Sequence, residues 1–183
     1  LENFGNPSSI HSFGQKSHNI IERSREKISK ILNCKSSELF FTSGGSESNN
    51  IILKGFLSSK DHFITSSYEH PSVLALSDEL RDQGIDVTCI TPNQDGLIES
   101  EKIKKALRKN TKLVSIMYVN NELGTINPIE KIAQLCHENN VLFHTDAVQY
   151  IGKEKINLSN SKIDFLSIGA HKFYGPKGIG ALY

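Results

Sequence analysis

Apolar residues recur along this chain at two spacings, one typical of α-helices and the other of β-strands. From Ser12 to Leu32 they fall at helical spacing with charged residues between them, which predicts an amphipathic helix. Downstream, short apolar runs alternate with longer stretches of helical period. The further predicted elements are, in chain order, strand 39–43, a helix from Ser46, strand 62–65, helix 71–83, strand 87–91, helix 99–108, strand 113–118, helix 128–139, and strands 141–145, 164–168 and 179–183.

Strands that alternate with helices of this length are typical of βαβ units. The predicted fold class is therefore α/β, with a mainly parallel central sheet covered by helices on both faces in a three-layer α/β/α arrangement. No repeat, low-complexity tract or linker divides the chain, so we predict a single domain over residues 1–183. Leu1 is not a start residue and the last predicted strand is cut short, so we expect a fragment of a longer chain.

Composition and charge exclude several classes of protein. The 183 residues are 37% hydrophobic, which is ordinary for a globular protein with a core. Lys and Arg total 21 against 20 Asp and Glu, so nothing demands nucleic acid or a membrane surface. The apolar runs are too short to span a bilayer, and the first residues do not resemble a signal peptide. We expect a cytoplasmic or organelle-matrix protein.

The three cysteines are widely spaced and odd in number, which argues against both a disulfide framework and a zinc site. Cys89 lies in a predicted strand and Cys136 on the apolar face of a predicted helix, so both are interpreted as packing residues. Cys34 lies in a polar loop, and we expect it to be the accessible thiol. Packing remains the favoured interpretation for all three.

Polar side chains follow five of the predicted strands, at the point where each strand ends. Because the carboxyl ends of parallel strands meet at one edge of a sheet, where α/β folds bind their ligands, we expect these side chains to form one site. Each is a weak signal alone, but their convergence by chance is improbable. The residues are Ser46, His70, Asn121, Asp146, Gln149 and Lys172.

Lys172 has the setting of a reactive lysine. It comes after the apolar run 163–168 and next to His171, and the turn residues Gly175 and Pro176 follow it. An amine that is partly desolvated at such a position can lose its proton near neutral pH and attack a carbonyl. We therefore expect Lys172 to be partly desolvated and nucleophilic.

Residues 42–48, Thr-Ser-Gly-Gly-Ser-Glu-Ser, read as a strand, a glycine turn and a helix start. Free N–H groups and the positive end of a helix dipole attract an anion such as phosphate. The alternative is a simple helix cap with Ser46 as the N-cap residue. The stretch matches neither the nucleoside-triphosphate loop nor the dinucleotide motif.

His70 precedes Pro71 at the junction of a predicted strand and a predicted helix, and taken alone it favours a surface turn residue over a binding-site residue. Together, however, a phosphate cradle, an aromatic ring, a carboxylate, an amide and a nucleophilic lysine match pyridoxal 5'-phosphate better than any other common cofactor. Lys172 would condense with its aldehyde, Asp146 would keep the ring nitrogen protonated, and His70 could stack on the ring.

Six motifs, in the right order through essentially the whole chain, resemble the cysteine desulfurases. These are fold-type-I pyridoxal-phosphate enzymes of the class V aminotransferase superfamily. The motifs are residues 5–9 (Gly-Asn-Pro-Ser-Ser), 42–49 (Thr-Ser-Gly-Gly-Ser-Glu-Ser-Asn), 69–70 (Glu-His), 119–124 (Val-Asn-Asn-Glu-Leu-Gly), 144–149 (His-Thr-Asp-Ala-Val-Gln) and 170–180 (Ala-His-Lys-Phe-Tyr-Gly-Pro-Lys-Gly-Ile-Gly).

The resemblance implies a role for each site residue. Lys172 and His70 would be the catalytic pair, Lys172 as the lysine that binds the cofactor covalently and His70 as the stacked ring and possible proton shuttle. Asp146 would be the partner of the ring nitrogen. The remaining cofactor-binding residues would be Gln149 at the ring oxygen, Asn121 beside cofactor and substrate, and Gly45, Ser46 and His171 at the phosphate.

Two positions depart from the family pattern. Ser46 stands where threonine is common, which keeps the hydroxyl group. Gly169 stands where many relatives have serine, which removes a phosphate donor and could weaken cofactor retention.

The resemblance also implies a reaction and its partners. The family takes sulfur from L-cysteine and produces alanine and an enzyme persulfide. The persulfide supplies Fe–S cluster or thio-cofactor synthesis through a sulfur-acceptor or scaffold protein. Members of the family are homodimers. The catalytic cysteine and the substrate-binding arginine lie beyond the lysine in this family, in a region that includes the small C-terminal domain. We therefore expect this chain alone to be inactive. Two alternatives remain open: a selenocysteine lyase or other class V enzyme, and a truncated paralogue that acts as an interaction module.

Overall fold

The structure is a computed structural model that describes residues 2–183. None of the helices in that range is both long and apolar enough to cross a membrane. The helices are α1 (Ser12–Leu32), α2 (Gly45–Phe56), α3 (Pro71–Asp82), α4 (Ser100–Ala106) and α5 (Ile129–Glu138); the strands are β1 (Phe40–Thr42), β2 (His62–Ser66), β3 (Asp86–Ile90), β4 (Thr111–Ser115), β5 (Leu142–Asp146), β6 (Phe165–Gly169) and β7 (Gly180–Leu182).

The seven strands form one sheet in the order β1-β7-β6-β5-β4-β2-β3. Strands β2 to β6 run parallel to one another, and only β7 pairs antiparallel, with β6 on one side and β1 on the other. The predicted α/β fold class with a mainly parallel sheet is therefore confirmed. The carboxyl ends of the five parallel strands meet at one edge.

Helices cover both faces of the sheet because adjacent strand residues point to opposite sides. In β2, Phe63 packs with α2 and α3, whereas Ile64 packs on the face that buries α1, α4 and α5. In β4, Leu113 and Val114 divide in the same way. All four side chains are fully buried, so the two cores share the sheet as their common wall.

A buried histidine joins three neighbouring strands at the centre of the sheet. His144 in β5 places Nδ1 2.8 Å from the hydroxyl of Ser115 in β4 and Nε2 2.9 Å from the hydroxyl of Ser167 in β6. Burial lowers the pKa of His144 to about 3, so the ring is neutral at physiological pH. Its two hydroxyl partners satisfy both ring nitrogens without a charge.

Element boundaries follow the predictions to within a few residues. The bounds of α1 agree residue for residue, and the helix ends where Asn33 adopts a left-handed conformation with φ 54°. Strand β4 was predicted at 113–118 but lies at Thr111–Ser115. The prediction ran too far because the following residues are apolar and buried. After Ser115 the regular pairing ends: Ile116 and Tyr118 still donate to β5, whereas the N–H of Met117 donates to the Glu69 side chain.

The cysteine predictions were partly wrong. Cys136 is fully buried, as expected. Cys89, however, is exposed, and Arg81 Nη2 donates to its sulfur at 3.2 Å. The reason is that β3 is an edge strand, which leaves part of the strand open to solvent. Cys34, predicted to be the accessible thiol, is half-buried.

Candidate active site

A cleft of about 380 Å³ opens at the carboxyl edge of the parallel strands. All eight residues that the sequence proposed for one site line it: Gly45, Ser46, His70, Asn121, Asp146, Gln149, His171 and Lys172. They come from five separate junctions between a strand and the segment that follows it. The parallel sheet therefore brings together side chains that are more than a hundred residues apart in sequence.

Asp146 is the last residue of β5 and is only 6% exposed. The backbone N–H of Val148 donates to its Oδ1 at 3.0 Å, and Asn49 Nδ2 donates to its Oδ2 at 2.9 Å. These two donors fix the plane of the carboxylate. A buried carboxylate held in this way can pair with a positively charged ring nitrogen in the cleft.

Helix α2 begins at the cleft without a side-chain cap. Its N-cap residue is Gly44, whose φ of 154° favours glycine, and Ser46 is the second helical residue. The alternative that Ser46 is the N-cap is therefore wrong. The first N–H groups of the helix lack intrahelical partners, so with the Ser46 hydroxyl they provide donors for an anion. A Cβ at Gly45 would come within 2.5 Å of Val148, so this position has no room for a side chain.

Lys172 and His171 lie on a short 3-10 turn, Ala170–Phe173, directly after β6. Both side chains are exposed at the rim of the cleft, so the expected partial desolvation of Lys172 is not found. The physical reason is that the turn carries the chain past the edge of the sheet, beyond the buried strand ends. Lys172 is a reachable amine rather than a buried one.

Gly169 is the buried last residue of β6. A Cβ at this position would approach the two Val148 methyl groups at 3.3 and 3.4 Å and His171 Cε1 at 3.5 Å. Val148 would have to move by a few tenths of an ångström to make room for a side chain. Val148 and His171, which line the cleft, occupy the space beside Gly169.

His70 combines an exposed ring with a structural role, because it is the N-cap residue of α3. Its Nδ1 accepts the N–H of Ser72 at 3.1 Å, and Pro71 follows at the favoured first position of the helix. Both interpretations of His70, turn residue and site residue, hold geometrically. The cap fixes the position of the ring beside the cleft.

Asn121 and Gln149 are held by neighbours outside the cleft. The side-chain oxygen of Asn120 accepts the N–H groups of Glu122 and Leu123, which shapes the loop that carries Asn121. Lys153 Nζ donates to Gln149 Oε1 at 3.2 Å. The amide nitrogen of Gln149 is therefore the group available to donate to a ligand.

Sequence reasoning missed two polar residues next to the predicted set. Ser72 lines the cleft, and Asn49 is completely buried between Ser72 and Asp146. One signal was available for Asn49, since it falls at helical spacing from the buried residues Ile52 and Leu53, where an apolar residue is expected. A polar residue at such a position needs a specific partner.

The sequence pattern of the family Aminotransferase class-V matches residues 1–183. Cysteine desulfurase IscS of Dictyoglomus turgidum is 50% identical over 186 residues, which cover 100% of this chain and 47% of the relative. The mitochondrial cysteine desulfurase of Candida maltosa is 45% identical over 185 residues, which cover 98% of this chain and 38% of the relative. The chain thus spans about half the length of the curated relatives it matches.

Two solved structures agree with these relatives. The structure of SspA in complex with cysteine is 46% identical and has a TM-score of 0.95, covering 99% of this chain and 53% of that one. A NifS-like protein is 40% identical with a TM-score of 0.95, covering 100% of this chain and 52% of that one. On the family match and the agreement of sequence and fold, this chain belongs to the class-V aminotransferase family.

Proposed function

We propose that this chain is the cofactor-binding large domain of a cysteine desulfurase and that it binds pyridoxal 5'-phosphate in the cleft. The observation that carries the proposal is the convergence of Asp146, Lys172 and the start of α2 on one cavity of about 380 Å³. A carboxylate, a primary amine and an open helix N-terminus are the three groups that this cofactor requires. The small domain that the resemblance implies would lie in the part of the relatives that this chain does not span.

The start of α2 fits the phosphate group. Gly45 and Ser46 present backbone N–H groups and a hydroxyl, and the imidazole of His171 lies on the same lining. The helix dipole adds a positive potential at this end. These residues would bind the phosphate through donated hydrogen bonds.

The other residues fit the ring. Asp146 would hold a proton on the ring nitrogen, His70 would lie against the ring, and Gln149 and Asn121 would donate to its oxygen and to the substrate. When bound, the cofactor supplies an electron sink that stabilises negative charge on the substrate Cα. Lys172 Nζ would hold the cofactor covalently and would then remove the Cα proton of the substrate.

Two of the matched proteins suggest the substrate, since one is named a cysteine desulfurase and the other was solved with cysteine. The proposed reaction breaks the C–S bond of L-cysteine, transfers its sulfur to a thiol of the complete enzyme as a persulfide, and returns a proton to carbon to give alanine. The parent protein would be a cytoplasmic or organelle-matrix homodimer. Its persulfide would pass to a sulfur acceptor or an Fe–S scaffold protein.

The cofactor proposal is tested by adding pyridoxal 5'-phosphate to the purified chain and reducing it with borohydride. We expect a yellow protein and, after reduction, a covalent adduct at Lys172 found by peptide mass spectrometry. Lys172→Ala should abolish the adduct because no other amine lines the cleft among residues 2–183. Lys177→Ala is the matched control, since Lys177 is exposed on the following loop and outside the lining.

A chain that stays colourless with excess cofactor and gives no adduct at Lys172 would contradict the proposal. That result would favour the alternative of an interaction module without a cofactor. A selenocysteine lyase would bind the cofactor equally, and the parent protein's turnover of L-selenocysteine against L-cysteine separates it from a desulfurase.

A further inference from the structure

A continuous chain of hydrogen bonds joins two residues of the cleft, Asp146 and His70. Asn49 Nδ2 donates to Asp146 Oδ2 at 2.9 Å and to Ser72 Oγ at 3.0 Å. Ser72 Oγ in turn lies 2.8 Å from His70 Nδ1, and the backbone N–H of Ser72 reaches the same nitrogen at 3.1 Å. The two site residues are thus linked through two residues to which no role has been given.

The direction of each bond follows from the chemistry of the groups. A carboxylate can only accept, so the amide nitrogen of Asn49 must face Asp146. That nitrogen also donates to Ser72 Oγ, which leaves the hydroxyl hydrogen free to donate to His70 Nδ1. The backbone N–H of Ser72 can only donate. His70 Nδ1 therefore receives two hydrogens and carries none, which places the ring proton on Nε2.

A buried and unpaired oxygen shows that this arrangement is held at a cost. Asn49 is completely buried, and its Oδ1 has no hydrogen-bond partner among residues 2–183. An orphaned buried acceptor is destabilising, because it has lost its contact with water and gained no partner. Turning the amide over would bring Oδ1 against the Asp146 carboxylate, which is worse. Nothing in the packing of α2 requires a polar residue at this apolar-face position, so the pair of donated bonds is the reason for the asparagine.

We propose that Asn49 and Ser72 are positioning residues for the cofactor site. Asn49 fixes the Asp146 carboxylate, Ser72 fixes the His70 ring with its proton on Nε2, and the shared amide couples the two ends. Because hydrogen bonds in a chain polarise one another, a change of charge at Asp146 is felt at His70. Nε2 is then the nitrogen through which His70 donates or exchanges a proton with a ligand.

The role of His70 in catalysis rests on the proposed function, but the network itself belongs to the chain without cofactor. Long-range ¹H–¹⁵N spectra of ¹⁵N-histidine protein, with His70→Gln to assign the signal, report which ring nitrogen carries the proton. We expect a single tautomer with the proton on Nε2 and with Nδ1 as a hydrogen-bonded acceptor. A proton on Nδ1 at neutral pH would overturn the proposal.

The serine is tested by removing its hydroxyl. In Ser72→Ala, the Nδ1 signal of His70 should move toward that of an unbonded nitrogen, and Ser72→Thr should restore it. Ser77→Ala is the matched control, because the Ser77 hydroxyl lies on the same helix and donates to the Val73 carbonyl. An unchanged Nδ1 signal in Ser72→Ala, or an equal change in Ser77→Ala, would contradict a role for the Ser72 hydroxyl.

The coupling is tested by a double-mutant cycle. Asp146→Asn should shift the His70 signal in the wild-type background and leave it unchanged in the Ser72→Ala background. Asn49→Leu, which fills the buried position with an apolar side chain, should abolish the shift in the same way. A shift of the His70 signal of equal size in both backgrounds would contradict the proposed link. None of these readings depends on cofactor binding, so failure of the borohydride experiment and failure of the network are separate results.

Discussion

Glu69 places a buried acid directly before His70. Its side chain is 3% exposed, and its Oε1 accepts the Ser66 hydroxyl and the backbone N–H of Met117, which lines the cleft. Burial raises the pKa of Glu69 to about 8, and the nearby charge of Asp146 acts in the same direction. At neutral pH, Glu69 therefore holds a proton and adds no second negative charge beside Asp146.

This buried acid should make stability fall as pH rises. Between about pH 4.5 and about pH 8 the folded chain keeps the Glu69 proton while the unfolded chain releases it, so proton release favours unfolding. Glu69→Gln cannot titrate and keeps the accepting oxygen. The free energy of unfolding of Glu69→Gln relative to wild type should therefore increase across this window, by at most about 1.4 kcal/mol per pH unit. Denaturant unfolding at several pH values measures the slope.

Glu47→Gln is the control for that experiment. Glu47 is a glutamate at the start of α2 whose pKa is lowered by the N–H of Ser43, so its titration lies below the window. Its stability relative to wild type should be independent of pH above about pH 5. A Glu69→Gln difference as flat as that of the control would show that Glu69 is ionised in the folded protein.

Single residues also show how far the sequence could predict the site. Asp146, Lys172 and their partners could be found because each follows an apolar run, and a parallel sheet brings such positions together. Asn49 could not be paired with Ser72, because their contact depends on how α2 and α3 pack, which no spacing records. The exposure of Lys172 was equally hidden, since it depends on the path of one 3-10 turn.

At the scale of elements, the reversed strand β7 and the start of α2 are packed together through glycine. A Cβ at Gly180 would lie 2.3 Å from the carbonyl oxygen of Ile168 and 2.6 Å from Gly44 Cα. Both neighbours are backbone atoms, so neither can rotate away. The close approach of β6, β7 and the α2 N-terminus thus requires a residue without a side chain.

Gly180→Ala should therefore lower the free energy of unfolding by about 1–3 kcal/mol, the usual cost of overpacking a core. It should also weaken binding of pyridoxal 5'-phosphate, because the strain falls on the segment that presents Gly45 and Ser46. Gly55→Ala is the control within α2, since a Cβ there meets nothing within 4 Å. That change should be neutral or stabilise by about 0.5–1 kcal/mol. The measurement is the denaturation midpoint of each variant and of wild type. Equal midpoints for Gly180→Ala and Gly55→Ala would contradict the packing argument.

Elements differ in how well the sequence predicted them. Both ends of helix α1 were predicted correctly because its apolar residues keep helical spacing over a long stretch. The antiparallel direction of β7 was not predicted, because an apolar run has no sign of direction. The order of the strands in the sheet could not be predicted either, since β2 lies between β3 and β4 although it precedes both in the chain.

At the scale of the whole molecule, the thiols and the cleft are separated. None of the three cysteines lines the cleft among residues 2–183. Cys136 is buried in the core, where burial raises the pKa of its thiol to about 12, and Cys89 lies on the edge strand β3. Cys34, which follows α1, also has a raised pKa because of burial. The fold thus gathers the groups that we propose to hold a cofactor, but among residues 2–183 it brings no thiol to them.

This separation predicts that the chain alone does not desulfurate L-cysteine even when it carries pyridoxal 5'-phosphate. Transfer of the substrate sulfur needs a thiolate at the cleft, and none of the three thiols lines it among residues 2–183. Cys136 is buried, Cys34 is half-buried after α1, and Cys89 lies on the edge strand β3. Alanine formation, measured without added thiol, should not exceed that of Lys172→Ala. The full-length Dictyoglomus turgidum relative serves as the positive control. The contrary outcome is alanine above the Lys172→Ala background, together with sulfur found on Cys34 or Cys89 by mass spectrometry. It would show that one of these thiols reaches the cleft, against their separation in the structure.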